Sequence, residues 1–187
     1  GHGLRCVQFN LACSGVPSLP ERIEPALVKR IRAALDARGL RMAAVSGTCN
    51  LIHPNLEKRR NGLARLRELA AVCRGLGTSI ITLCTGTRDP EDPWRHHPDN
   101  RTPDAWRDLV GSMEVLLSLA EEFDVYFGIE PEVNNVVDSA KSARQLLDEM
   151  KSPRLKIIMD AANLFRPGDR SRIREIVDEA FDLLGPD

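Results

Sequence analysis

The chain alternates short apolar runs with longer stretches in which apolar residues return every three or four positions. Leu4 to Leu11 is the first short run, with the β-formers Val7 and Phe9. Met42 to Val45, Ile80 to Cys84, Val125 to Ile129 and Leu155 to Met159 follow it. Compact runs of this kind between turn residues predict buried strands. The intervening stretches predict helices. Ile23, Leu27, Ile31 and Leu35 recur every four residues after Ser18-Leu19-Pro20-Glu21, which has capping-box spacing and a proline near the start; Gly39 supplies the stop. Leu63, Leu66, Ala70 and Cys73 mark a second helix, closed by Gly75 or Gly77. Thr102-Pro103-Asp104 opens a third, with Trp106, Val110, Met113, Leu117 and Ala120 on its buried side. Asp138 is the expected cap of a fourth bearing Ala143, Leu146, Leu147 and Met150. Ile173, Ile176, Val177, Ala180 and Phe181 stripe the last.

Five strand-helix repeats imply a parallel sheet, because each helix returns the chain to the same starting edge. No composition shift divides residues 1–187, so one α/β domain is expected. The sheet could be open and doubly wound, or part of an eight-stranded barrel. A doubly wound fold usually carries a glycine-rich phosphate turn after its first strand. Asn10-Leu11-Ala12-Cys13-Ser14-Gly15 matches that poorly, and no P-loop lysine motif occurs. The barrel type is favoured.

Charge and composition narrow the partners. Lys and Arg (26) nearly cancel Asp and Glu (27), for a formal charge of -1, which argues against a broad nucleic-acid-binding face. No apolar run is long enough to span a bilayer, and no signal-peptide pattern appears. The five cysteines form no C-x-x-C pair, so reduced thiols and a cytoplasmic location are expected, with Cys6, Cys73 and Cys84 as buried packing residues. The Gly1-His2-Gly3 start suggests a tag remnant or an internal point of a longer protein.

In barrels the working residues stand where strands end. Glu130 and Asp160 each follow an apolar strand directly, where an unpaired carboxylate facing the core would be costly. At a barrel mouth the two could share a divalent cation; alternatively each caps a helix or pairs with an arginine. Oxygen ligands suit Mn²⁺, Mg²⁺ or Co²⁺, with Zn²⁺ an option if histidines join. His53, before Pro54, could bond a substrate hydroxyl or pack locally in its loop. Arg88 could bind a phosphate or carboxylate, or pair with Asp89 or Asp92. Asn134 and Asn135 could read substrate hydroxyls or shape the turn before Asp138. Glu132 is expected at the surface or behind the ligands. Trp94 is a candidate pocket wall, Trp106 a core residue, and His96 a solvated loop residue.

The stretches VSGTCNLIHPN, LCTGTRDPEDPWRHHPDNRTPDAW, FGIEPEVNNVVDSA and SPRLKIIMDAANLF resemble the sugar phosphate isomerase/epimerase family of xylose isomerase-like barrels, in the family's order and across almost the whole chain. The resemblance implies that Glu130 and Asp160 are the metal ligands of the family's fifth and sixth strands. The strands here are then numbers two to six of an incomplete (β/α) barrel of about five units. The family's cation shell is completed by a histidine after the seventh strand and a glutamate after the eighth; the sequence stops at Asp187, before either. The HPDN context favours His97 as substrate-binding, and Asn163, three residues beyond Asp160, joins that group.

The implied activity is metal-dependent isomerisation or epimerisation of a small sugar, sugar phosphate or keto-polyol, with Mn²⁺ the first choice of cation, Glu130 the proton-transfer residue and a homo-oligomer an option. A barrel relative that binds a sugar-like ligand without turnover is the rival. An endonuclease IV-like abasic-site nuclease fits less well, because Asn163 replaces the histidine such a site needs.

Overall fold

A computed structural model describes residues 3–185, so the Gly1-His2 start and the last two residues lie outside it. Five strands pair in one parallel sheet: β1 (Cys6–Phe9), β2 (Arg41–Ser46), β3 (Ile80–Leu83), β4 (Tyr126–Ile129) and β5 (Leu155–Ile157). Their order is β1-β2-β3-β4-β5, with no reversal. A doubly wound sheet changes winding direction at one point; a barrel does not. The order selects the barrel class, here as five consecutive β/α units.

The helices α1 (Pro25–Asp36), α2 (Leu56–Leu76), α3 (Pro103–Phe123), α4 (Ala140–Met150) and α5 (Ile173–Leu184) each follow a strand, and sequence neighbours pack side by side. The core fills the layer between them and the sheet. Leu66, Leu69, Met113 and Leu116 meet strand residues such as Ile81, Phe127 and Ile129 in one cluster. Contact here is close: a Cβ on Gly47, just past β2, would lie 2.7 Å from both Ile81 Cγ2 and Leu66 Cδ2.

Several boundaries differ from the periodic reading. α1 begins at Pro25, not at the Ser18 capping box, so Ile23 is buried from the preceding loop. Pro25 fits the first helical turn, where a backbone N–H has no intrahelical acceptor. Gly77 ends α2 with φ +94. Thr102 caps α3 as expected, its hydroxyl accepting from Ala105 N. The cap of α4 is Ser139, not Asp138; Asp138 Oδ1 instead accepts from Ser142 Oγ.

The buried side of α3 runs through Ala105, Leu109, Met113, Leu116 and Ala120. Trp106 is therefore half-buried, with its indole N–H donated to Glu149 at 2.7 Å. Phe181 on α5 is exposed. Cys6 is exposed as well, because β1 is an edge strand whose Cys6 and Gln8 side chains lie on an uncovered face. Among the described residues, no helix is long and apolar enough to cross a membrane.

Leu66 is fully buried where α2 meets the sheet. Leu66→Ala should cost about 2–5 kcal/mol, read as a lower urea midpoint at unchanged m-value. The thiols should divide by burial. Cys6 and Cys13 are exposed, whereas burial pushes Cys49, Cys73 and Cys84 up to about 12. Iodoacetamide near pH 8 should alkylate the first two in the native protein and all five in urea, as read by mass spectrometry.

Candidate functional site

The C-terminal ends of the strands open into a cavity of about 670 Å³. Ser46, Thr48 and Asn50 enter it from the end of β2, Cys84 and Gly86 from β3, and Glu130 and Glu132 from β4; Asn163 follows β5. The parallel ladder continues past the strands to hold these residues. Glu130 N donates to Leu83 O and Ile158 N to Ile129 O, both at 2.8 Å.

Asn163 joins the two acidic residues. Its Nδ2 donates to Glu130 Oε1 at 2.5 Å and lies 3.4 Å from Asp160 Oδ2. The carboxylates therefore converge on one amide nitrogen. Asp160 also caps the short 3₁₀ turn after β5, its Oδ1 accepting from Ala162 N at 3.0 Å. The capping role and the convergence on Glu130 coexist on one side chain. Burial pushes the Glu130 carboxyl above the usual range, the nearby Asp160 charge adds to this, and the Asn163 hydrogen bond opposes it. Glu132 is also raised, by burial and then by Glu130, so it faces the site rather than solvent. Its alternation with Glu130, two residues apart and on the same side, was the available signal.

Other candidates fall on both sides of the line. His53 lines the cavity, but its ring is held by backbone: Nδ1 accepts from Asn55 N at 3.0 Å. Burial and the Lys58 charge keep its pKa below the ordinary histidine value. The ring thus braces its own loop after β2. Arg88 is turned away from the cavity. Its Nη1 donates to Ile52 O at 2.9 Å and its Nη2 lies 2.6 Å from Asp108, not from Asp89 or Asp92. Arg59 shares Asp108. Burial works against the Asp108 charge, but the hydrogen bonds from both arginines outweigh it and hold that carboxyl low.

His97 caps a 3₁₀ turn, accepting from Asp99 N at 3.2 Å, and does not line the cavity. Asn134 donates to Trp94 O, fixing the loop that places Trp94 at the mouth. Asn50, Asn100 and Asn135 knit the rim. Asn50 Nδ2 donates to Thr87 O at 2.7 Å; Asn100 Oδ1 accepts from Thr87 Oγ1 and Arg88 N; Asn135 Oδ1 accepts from Gly86 N. Gly86 is required there: its φ is +83, and a Cβ would fall 2.9 Å from Asn50 Cα.

A family model described as xylose isomerase-like TIM barrel matches residues 1–185. The chain belongs to that family. Solved structures share its fold. D-Psicose 3-epimerase from Clostridium cellulolyticum H10, bound to D-tagatose, is 16% identical with TM-score 0.71, over 97% of this chain and 61% of its own. A 3-keto-D-glucoside 4-epimerase from E. coli is 19% identical with TM-score 0.66, over 88% and 65%. A xylose isomerase-like barrel from Mycobacterium smegmatis in complex with magnesium is 14% identical with TM-score 0.68, over 94% and 59%. The chain spans about three fifths of the length of these relatives. Among curated proteins, none matches it.

In this xylose isomerase-like chain the donor chemistry at Glu130 and Asp160 suits a hard, oxygen-ligated cation. Two carboxylates supply only part of a shell; among the described residues no group of three or more His, Cys, Asp or Glu side chains is placed to hold a metal ion.

The raised carboxyls have a measurable consequence. A carboxyl whose folded-state pKa exceeds its unfolded value contributes nothing while both states are protonated, and destabilises the fold as pH rises through that interval. Glu130→Gln and Glu132→Gln should therefore each melt higher than wild type near pH 7 in the presence of chelator. The gain should vanish as pH falls below about 4, the ordinary glutamate range. Calorimetric melts across that span check both the sign and the disappearance.

Proposed function

We propose that this chain carries cation- and sugar-binding residues of a divalent-metal-dependent isomerase or epimerase acting on a small sugar, sugar phosphate or related keto-polyol. The observation that carries the reading is the convergence of the Glu130 and Asp160 carboxylates on Asn163 beside a cavity of about 670 Å³. Family membership supports it, as do the epimerases among the proteins of like fold.

Glu130 and Asp160 would hold the ion, with Mn²⁺ the first candidate and Mg²⁺, Co²⁺ or Zn²⁺ as alternatives. When bound, the ion supplies Lewis-acid polarisation of a substrate carbonyl. Glu130 takes the proton from the carbon beside that carbonyl. Burial, with the Asp160 charge adding, raises its proton affinity, which makes it a stronger base than an exposed glutamate. Asn163 orients the Glu130 carboxylate and holds Asp160 beside it. His53, held by Asn55 N, lines the cavity from the loop after β2, and Trp94 lines it from the loop after β3. The acidic lining and the Asn163 contacts speak against the abasic-site nuclease.

Titration calorimetry with Mn²⁺ should show one site in the wild-type chain. Glu130→Gln and Asp160→Asn should each weaken it by at least about tenfold, or about 1.4 kcal/mol. Unchanged affinity in both variants overturns the proposal. Sugar binding without turnover in the full-length protein would instead identify a non-catalytic relative.

A further inference from the structure

The proposed reading leaves open whether the substrate is a free sugar or its phosphate ester, and the charge around the cavity separates the two. Among the described residues lining it, Lys58 is the one cationic side chain, whereas Asp89, Glu91, Glu130 and Glu132 are acidic. The nearby arginines are engaged elsewhere. Arg88 and Arg59, each only 11% exposed, are held by Asp108, and Arg95 reaches Asp89 at 3.2 Å.

Phosphates commonly bind the free N–H groups of a helix start, where backbone donors and the helix dipole act together. At three of the segment starts that follow the strands, such donors are already occupied by the chain's own side chains. Asn10 Oδ1 accepts from Ala12 N, Asn55 Oδ1 from Glu57 N and Lys58 N, and Asp160 Oδ1 from Ala162 N. A divalent cation between Glu130 and Asp160 would offset that pair but leave Glu132 and Glu91 facing any added anion. The remaining polar lining is neutral: Asn10, Ser18, Ser46 and Thr48 present amide and hydroxyl groups that match sugar hydroxyls.

Resting on the proposed carbohydrate reading, we infer that this cavity takes an uncharged polyhydroxy carbonyl compound and rejects its phosphate esters. Glu91 at the mouth, largely exposed, repels the ester as it enters.

The test is calorimetry of the full chain with saturating Mg²⁺, against a panel of free ketohexoses and aldohexoses and the monophosphate ester of each. At least one free sugar should bind about tenfold or more tightly than its ester. Raising salt should improve the ester, because screening weakens repulsion. Glu91→Lys should narrow the gap between the two. An ester that binds as tightly as its parent sugar, with affinity falling as salt rises, overturns the inference and leaves the isomerase reading standing. Failure of every sugar and every ester to bind overturns the carbohydrate reading itself, and the inference falls with it.

Discussion

Parallel pairing without a reversal of strand order forces each strand to deliver its C-terminal end to the same rim. Ser46, Cys84, Glu130 and Asn163 are spread over more than half the chain, yet this constraint sets them round one opening. Everything chemical follows from it, since none of these side chains has another means of meeting the rest. The hydrophobic layer between helices and sheet holds the register. Where β3 and β4 pair from Ile80↔Tyr126 to Leu83↔Ile129, the next positions are Cys84 and Glu130. A slip of one residue would turn the carboxylate towards the helices instead of the mouth.

The rim is organised by side-chain amides more than by charge. Asn50, Asn100 and Asn135 each span from one loop to backbone groups of another, so the connections after β2, β3 and β4 behave as a unit. These paired amide groups favour one loop arrangement, because others would leave them unpaired away from water, as the Asn135 Nδ2 already is here. The Arg59–Asp108–Arg88 cluster does similar work one layer further out, binding α2, α3 and the loop after β3 together.

Against this rigid frame the carboxylates are held at a disadvantage. Burial raises the proton affinity of Glu130 and Glu132; the Asp160 charge adds to both, and the Glu130 charge adds to Glu132. Mutual repulsion of this kind is a common mark of a functional site, where stability is given up for reactivity or for affinity towards a cation. Asn163 relieves part of the strain through one hydrogen-bonding nitrogen. A sugar-like ligand without a phosphate suits the same field, which has one lysine and no disengaged arginine among the described lining residues.

The sequence by itself determined the strand-helix alternation, the helical stripes around Leu66 and Ala143, and the placing of Glu130 and Asp160 at strand ends. All of these are local patterns, written in residue spacing. It also carried the family resemblance. It did not reveal that Asn163 would bridge the two acids, that Glu132 would face inward, or that Arg88 would choose Asp108 twenty residues away over its neighbours Asp89 and Asp92. Nor did it show that His97 and Asn134 shape loops outside the cavity. Each of those is a choice of partner between distant segments. Only the register of the sheet and the packing of helices upon it bring the competing partners within reach, and periodicity contains no information about which will win.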